Sequence, residues 1–372
     1  MYKKQHLAIL LSALLFIGCK NNTQRSLTEI ELGEKLFHDT TLSKDQTMSC
    51  ATCHDAEHAF IDSRPTNLSL GASLGDDLTS IGDRNAPTAS YASFIPKFHF
   101  DDAEGLFIGG QFLDGRATDL KTQAKGPFLN PVEMNMPDEA SVITRVQENP
   151  EYVSAFKSIY GEGIFDNTQE AYDAVSEAIA NFEKTEAFAP FDSKFDKMLK
   201  GEATFTDQEA RGLALFNGKA QCVLCHVSEG DKAQFTDFSY DNLGVPVNHP
   251  LRDANHKGTD FVDNGLFENV EVNDEGLKGA FRVSTLRNIA VTGPYMHNGV
   301  FSNLKTVVHF YNTRDVNDSL NPETGAAWGA GEVAVNQNTE ELGNLGLTHE
   351  EEEDIVAFLE TLTDEKYEHL IP

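Results

Sequence analysis

The sequence is short of basic residues, of cysteine and tryptophan, and of long apolar runs. Its 29 lysines and arginines stand against 59 aspartates and glutamates, which gives a formal net charge of −30. Nucleic-acid binding needs a basic surface, so this balance argues against it. No segment beyond the N-terminus is apolar enough to span a membrane, and no sustained polar–apolar alternation predicts β-strands. These absences indicate a mainly α-helical, loop-rich protein.

The acidic charge has two interpretations. It can keep the protein soluble in a crowded or saline compartment, or it can form a face that attracts a basic partner protein. The sequence does not choose between them. The length of 372 residues leaves room for two domains, each with its own core.

Four of the five cysteines occur in two copies of one pattern: Cys50-Ala51-Thr52-Cys53-His54 and Cys222-Val223-Leu224-Cys225-His226. Two thiols at this spacing can each add to a vinyl group of one haem, and the adjacent histidine then becomes an axial ligand of the iron. A thioredoxin-like motif is one alternative, but it usually follows a strand in a βαβ unit. A shared zinc is another, but its cysteine pairs usually lie about 12–20 residues apart, and here 168 residues intervene. We therefore predict two covalently bound haem c groups.

The fifth cysteine, Cys19, ends an N-terminal targeting segment. Two lysines precede a short apolar run, and Leu15 to Cys19 resembles a bacterial lipobox, whose cysteine receives lipid and becomes the new N-terminus. We expect residues 1–18 to be a lipoprotein signal peptide and residues 19–27 to be a tether. The protein would then lie on the periplasmic side of a bacterial membrane, anchored by lipid. An ordinary signal peptide would leave it soluble in the periplasm.

A similar local pattern leads into each cysteine motif. A helix capping box at Thr28–Glu31 precedes Gly33–Phe37, and a second at Thr206–Glu209 precedes Gly212–Phe216, so that both copies contain Gly-x-x-Leu-Phe. A capped helix that precedes a haem motif is typical of single cytochrome c domains. We therefore predict two tandem cytochrome c-like domains, at residues 28–200 and 201–372, with one haem each.

Apolar residues at helical spacing predict further helices. These are expected at about 138–158 and 168–186, and residues 187–204 are interpreted as the crossing between the domains. Asn303 is expected to cap a helix that carries Tyr311. A last helix should begin with the capping box Thr348–Glu351.

Seven short stretches carry a family resemblance: Ser49–His54, Arg84–Thr88, Asp114–Arg116, Gln123–Pro127, Pro131–Met134, Thr285–Asn288 and Pro294–Gly299. In order and approximate spacing they resemble the bacterial di-haem cytochrome c peroxidases and their MauG-like relatives. The resemblance implies that the N-terminal haem reacts with peroxide and that the C-terminal haem transfers electrons. It makes His54 the proximal ligand of the peroxidatic iron, Glu133 the distal acid–base carboxylate and Gln123 the glutamine beside it. A desolvated carboxyl group can move the proton that peroxide must shift between its oxygens.

The same resemblance implies a calcium ion between the haems, with ligands from Asn85, Thr292 and Pro294, since oxygen ligands suit this cation. Family members are often homodimers, so a homodimer is a possible assembly here.

Three positions depart from the family pattern. The loop Ser69–Gly75 lacks the histidine that closes the peroxidatic iron in typical members, and His58 and His99 are the only nearby candidates. We therefore predict a first iron that is open at rest and needs no reductive activation. At the second haem the usual methionine ligand is replaced by Tyr311, as in the MauG branch; a tyrosinate would favour the ferric state.

Met296 and His309 are competing ligands for the second iron. The third departure is Leu113, which stands where the family usually has a tryptophan between the haems. An aromatic relay is absent at that position, which weakens the case for a full MauG-type activity.

Three functions are compatible with these features. The leading one is a di-haem peroxidase that reduces hydrogen peroxide with electrons from a small cytochrome c or cupredoxin-type carrier. The second is a MauG-like enzyme that oxidises residues of a partner protein. The third is a di-haem electron carrier without catalytic activity.

Overall fold

The computed structural model describes residues 26–258 and 260–372, so Cys19 and the predicted signal peptide lie outside the described residues. The chain is mainly helical and rich in loops, as predicted. Its helices are α1 Glu29–His38, α2 Cys50–Cys53, α3 Pro65–Leu70, α4 Leu120–Leu129, α5 Glu139–Glu148, α6 Pro150–Tyr160, α7 Thr168–Glu183, α8 Lys194–Leu199, α9 Asp207–Phe216, α10 His249–Ala254, α11 Leu304–Thr313 and α12 His349–Glu360. Two small antiparallel sheets pair β1 His99–Asp101 with β2 Leu106–Ile108, and β3 Tyr240–Asp241 with β4 Phe281–Arg282.

The predicted helix starts are confirmed. Reciprocal capping boxes open α1, α9 and α12, where the threonine side chain accepts from the third backbone N–H and the glutamate there accepts from the threonine backbone. Asn303 caps α11 through a bond from Lys305 N, 2.8 Å long. Each cap satisfies a donor that the first helical turn leaves free.

The glycine of each Gly-x-x-Leu-Phe segment lies at a close helix crossing. Gly33 of α1 meets the backbone of α7 at Ala178, and Gly212 of α9 meets the backbone of α12 at Asp354. A Cβ atom at either glycine would overlap the facing carbonyl group. The internal repeat is therefore a repeated packing arrangement, in which the helix before each cysteine motif crosses a later helix at glycine.

In the described ranges the apolar core has two large clusters and a small third one, which contains Phe98, Leu266, Val272 and Ala280. The first is built from α1 and α4 to α7 and runs from Leu32 to Phe188, and the second is built around α9, α11 and α12 and runs from Phe195 to Leu362. Phe195 lies on α8, before the predicted start of the second domain at residue 201, yet packs in the second cluster. The domain limits 28–200 and 201–372 remain predictions.

The helix expected at 138–158 is two helices. Asn149 ends α5 and caps α6 through a bond from Glu151 N, 3.0 Å long, and Pro150 begins α6. Proline lacks a backbone N–H and is favoured at a first helical position, which explains the break. The crossing at 187–204 also contains the short helix α8, whose capping box joins Ser193 and Asp196. No helix in the described ranges has the length and apolar character required to cross a bilayer.

Candidate functional site

The first cysteine motif lines a large internal cavity. Cys50 begins α2, Cys53 ends it, and both line the cavity together with His54. His54 Nδ1 donates to Phe60 O at 3.1 Å, since a carbonyl can only accept. This bond fixes the ring and leaves Nε2 with its lone pair available, as an axial ligand requires.

The second motif repeats this geometry in a separate cavity. Cys222, Cys225 and His226 line it, and His226 Nδ1 donates to Phe235 O at 2.7 Å. Because the two cysteine pairs line different cavities, one zinc ion shared by all four thiols is excluded. Burial raises the pKa of Cys53, Cys222 and Cys225 to about 12.

Both cavities fit a haem in charge as well as in ligands. Arg282 of β4 is buried and lines both cavities. Its side chain donates to the backbone carbonyls of Phe112 and Val283. No carboxylate among the described residues forms an ion pair with it. Burial lowers the pKa of this guanidinium. A buried cation without an acidic partner is costly, and the carboxylates of a haem would neutralise it. The sequence pattern around Arg282 carries no signal of this role.

The predicted distal residues, Gln123 and Glu133, line the first cavity. Gln123 lies on α4, and Glu133 follows in the turn after it. Asn130 Nδ2 donates to Glu133 Oε1 at 2.8 Å and fixes the carboxyl group. Burial raises the pKa of Glu133 above its usual range, although Arg116 and Asn130 act in the opposite direction. A carboxyl group with a raised pKa takes up and releases protons at a higher pH than an exposed one, as a general acid–base group requires.

His54 is the only histidine among the described residues that line the first cavity. His58 Nδ1 lies 2.7 Å from Asp55 Oδ2 and its side chain is about half exposed, and His99 lies exposed on β1. In the loop Ser69–Gly75, Ser73 lines the cavity while Ala72 is fully buried.

The segment Ser69–Gly75, predicted as a loop, begins with the last two residues of α3 and is held by the C-terminal half of the chain. Asn248 Nδ2 donates to Leu70 O at 2.8 Å and to Asn298 O at 2.9 Å. Gly71 has φ +82° and lies so close to Gly299 that a Cβ atom would overlap the backbone there. This loop is therefore fixed beside the first cavity.

Two candidates for the second axial position line the second cavity, Tyr311 of α11 and Met296. Burial raises the pKa of Tyr311, and no described group is hydrogen-bonded to its hydroxyl. His309 does not line this cavity: its Nδ1 lies 2.8 Å from Glu352 Oε1, on another face of α11. The structure therefore leaves Tyr311 and Met296 as the candidates among the three.

The predicted calcium ligands converge on a third, smaller cavity. Asn85, Thr292 and Pro294 line it, and Asn85 Nδ2 lies 2.5 Å from Pro294 O. Leu113 and Arg282 also line it, so it lies against the two larger cavities. Thr292 and Pro294 offer hydroxyl and carbonyl oxygens, which calcium prefers. Asn85 directs its amide nitrogen at Pro294 O, so its oxygen would face a cation only after the amide group turns.

Sequence reasoning missed Glu183, the last residue of α7. It lines the first cavity, is only 6% exposed, and its Oε2 has no described hydrogen-bond partner. Burial raises its pKa to about 8, with Lys184 acting weakly against this. A signal was available, because Glu183 follows Ile179 by four positions and so extends the apolar face of α7.

A mainly helical fold with two cavities, each lined by a paired cysteine motif and its histidine, defines the class of di-haem c-type proteins. Residues 28–204 match the family described as di-haem cytochrome c peroxidase. The chain is 48% identical over 348 residues to the methylamine utilization protein MauG of Paracoccus denitrificans (strain Pd 1222), covering 91% of this chain and 89% of that protein. It is 31% identical over 354 residues to the cytochrome c551 peroxidase of Nitrosomonas europaea, covering 92% and 82%.

Among solved structures, the di-haem peroxidase BthA of Burkholderia thailandensis E264 superposes with a TM-score of 0.83 at 32% identity, covering 94% of this chain and 89% of that one. The chain belongs to the di-haem cytochrome c peroxidase and MauG family, whose members are haem oxidoreductases.

Proposed function

We propose that this protein is a di-haem c-type peroxidase that reduces hydrogen peroxide to water with electrons from a small carrier protein. The observation that carries the proposal is the composition of the first cavity. Glu133 and Gln123 line it, and His54 is its only described histidine. This set provides one iron ligand and a proton-transfer group, and no second imidazole that would close the iron.

At the first haem, separate residues attach the haem, ligate its iron and transfer protons. Cys50 and Cys53 tether the group, and His54, held by Phe60 O, provides its proximal ligand. The bound iron supplies the site at which peroxide is reduced. Glu133 takes a proton from one peroxide oxygen and returns it to the other, and Gln123 orients peroxide by hydrogen bonding.

Cys222, Cys225 and His226 would hold the second haem, which would supply a centre for electron transfer. We assign its second axial position to Tyr311, with Met296 as the alternative. Burial raises the pKa of the Tyr311 phenol, so coordination to iron must drive its deprotonation, as it does for other metal ligands. Calcium between the cavities, with Asn85, Thr292 and Pro294 as ligands, completes the proposed cofactors.

The charge of the second half supports a basic electron donor of the cytochrome c or cupredoxin type. Residues 315–346 contain six aspartates and glutamates and no lysine or arginine. Glu332 is buried in an ion pair with Arg252, and Asp315 is paired with Arg314, so the other four carry the unpaired acidic charge of this segment. An acidic surface speeds the approach of a cationic carrier, mainly at low salt. We place the protein on the periplasmic side of the membrane, anchored through Cys19, as a monomer or homodimer.

A MauG-like oxidation of a partner protein is the second candidate. The 48% identity to MauG and the cavity position of Tyr311 favour it. Leu113, which lines the first and third cavities where the family usually has tryptophan, disfavours it.

The absorption and electron paramagnetic resonance spectra of the oxidised holoprotein test the proposal. One high-spin and one low-spin haem are expected, and two low-spin haems would refute an open first iron. Peroxide consumption with a reduced basic cytochrome should then proceed without prior reduction of the enzyme. Peroxide consumption that requires a partner protein whose residues become oxidised would favour the second candidate.

A further inference from the structure

The chain has a single tryptophan, Trp328, and it packs behind the helix that carries Tyr311. Its ring lies 5.2 Å from the Phe310 ring and 5.7 Å from the Phe301 ring, in edge-to-face contacts, and 5.9 Å from the His309 ring. The side chain is partly exposed. Trp328 thus lies between the second apolar cluster and the protein surface.

Helix α11 separates Trp328 from the second haem cavity. One face of α11 lines the cavity through Leu304, Val307, Val308 and Tyr311. Another face contacts Trp328 through His309 and Phe310. The width of a helix, about 10 Å with side chains, therefore sets the separation between the indole and the cavity. The Phe310 and Tyr311 rings lie 6.3 Å apart and occupy part of that space.

The indole N–H is hydrogen-bonded to two hydroxyl groups. Trp328 Nε1 donates to Thr313 Oγ1 at 3.1 Å and to Ser319 Oγ at 3.2 Å. Ser319 Oγ donates to Thr313 Oγ1 at 2.7 Å, and Thr313 Oγ1 donates to the backbone oxygen of His309 at 2.8 Å. Ser319 is partly exposed, so its hydroxyl group can also contact solvent. An indole that loses an electron becomes a strong acid, so its proton can leave through these hydroxyl groups.

We propose that Trp328 is a redox-active residue that passes single electrons between the protein surface and the second haem cavity. The inference rests on the proposed peroxidase function, because peroxide is the oxidant. In each step Trp328 gives one electron inward and one proton to water through Ser319, and an external reductant then returns one electron while water returns the proton. Without a reductant, the indole itself is consumed: one indole C–H and one hydrogen peroxide give one indole C–OH and one water.

The test exposes the haem-loaded protein to limiting hydrogen peroxide without a donor and maps oxygen addition by peptide mass spectrometry. The matched control is Phe100→Trp, which introduces an indole on β1. Phe100 is 49% exposed and lines neither haem cavity. Oxidation through the second haem should modify Trp328 in preference to the more exposed introduced indole. A reduced donor should suppress the modification, and Trp328→Phe should abolish the tryptophan radical signal in freeze-quenched samples.

Peroxide consumption is followed in the same samples. If peroxide is consumed while Trp328 stays intact, or while the introduced indole is modified as much as Trp328, the inference is wrong and the proposed function stands. If no peroxide is consumed in these samples or in parallel samples that contain a reduced donor, both are wrong. Ser319→Ala keeps the indole but removes the hydroxyl group through which the proton is proposed to leave, and should lower the yield of modified Trp328. An unchanged yield there would refute the proton path.

Discussion

Replacing Glu133 with glutamine tests the proton-transfer step at the first haem. Glutamine has nearly the same shape, and its Oε1 can keep the 2.8 Å bond from Asn130 Nδ2. Arg116 is not left without a partner, because its Nη1 lies 2.7 Å from Asp114 Oδ2. The substitution therefore removes the proton acceptor while it preserves packing and neighbouring charge pairs.

The expected loss follows from the role of the group. General acid–base catalysis contributes about 10²–10⁴ in rate, so Glu133→Gln should lower peroxide turnover at least about 100-fold. At about 1.36 kcal/mol for each tenfold change, this loss corresponds to at least about 2.7 kcal/mol of transition-state stabilisation. The pH profile should change as well. Burial raises the pKa of Glu133, so the wild-type rate should fall on the acidic side as the carboxylate is protonated, and the glutamine variant should lack this limb.

Stopped-flow peroxide reduction by the reduced holoprotein, over a range of pH, provides the assay. Glu148→Gln is the matched control, since it removes the same charge from a largely exposed side chain that does not line the cavity. Wild-type turnover in Glu133→Gln, or an acidic limb that persists in it, would refute the assignment.

Three further substitutions test other parts of the structure. Tyr311→Met should raise the reduction potential of the second haem, because a thioether favours the ferrous state. If Met296→Leu changes this potential and Tyr311→Met does not, the ligand is Met296 and the assignment is wrong. Glu183 has a folded-state pKa of about 8, raised by burial from 4.5, so it keeps a proton that the unfolded chain releases, and stability should fall by about 3–5 kcal/mol as pH rises from 5 to 8. Denaturant unfolding of Glu183→Gln should lack most of that decrease, and an identical pH dependence would contradict the argument. Arg287→Met should destabilise the fold by about 3–5 kcal/mol, since it leaves Asp196, 2.7 Å away and fully buried, without its partner; a loss below about 1 kcal/mol would contradict it.

Features encoded by neighbouring residues were predictable from the sequence. The two haem motifs and the capping boxes depend on short spacings, so Thr28, Thr206 and Thr348 could be assigned without knowledge of the fold. The break between α5 and α6 was also local, because Pro150 marks it, but helical periodicity on both sides concealed it. A residue before proline is disfavoured in the helical conformation, and this signal deserved more weight.

Features that depend on tertiary packing were not predictable. Glu183 and Arg282 are candidate functional residues because they are buried without a charged partner. Both properties arise only when segments distant in sequence enclose the cavities. The choice between Tyr311 and Met296 has the same origin, because both line the second cavity while His309 turns to Glu352. Sequence position alone assigns no orientation to three residues so close to one another along the chain and in space.

The attachment of the loop Ser69–Gly75 has a consequence for timing. Asn248 ties this loop to the segment at Asn298, and Gly71 packs on Gly299. A loop held in this way has no second position to visit before a small molecule enters the first cavity. We expect progress curves of peroxide consumption that are linear from the moment of mixing, with no lag. The enzyme would then respond to a sudden rise in peroxide at its full rate.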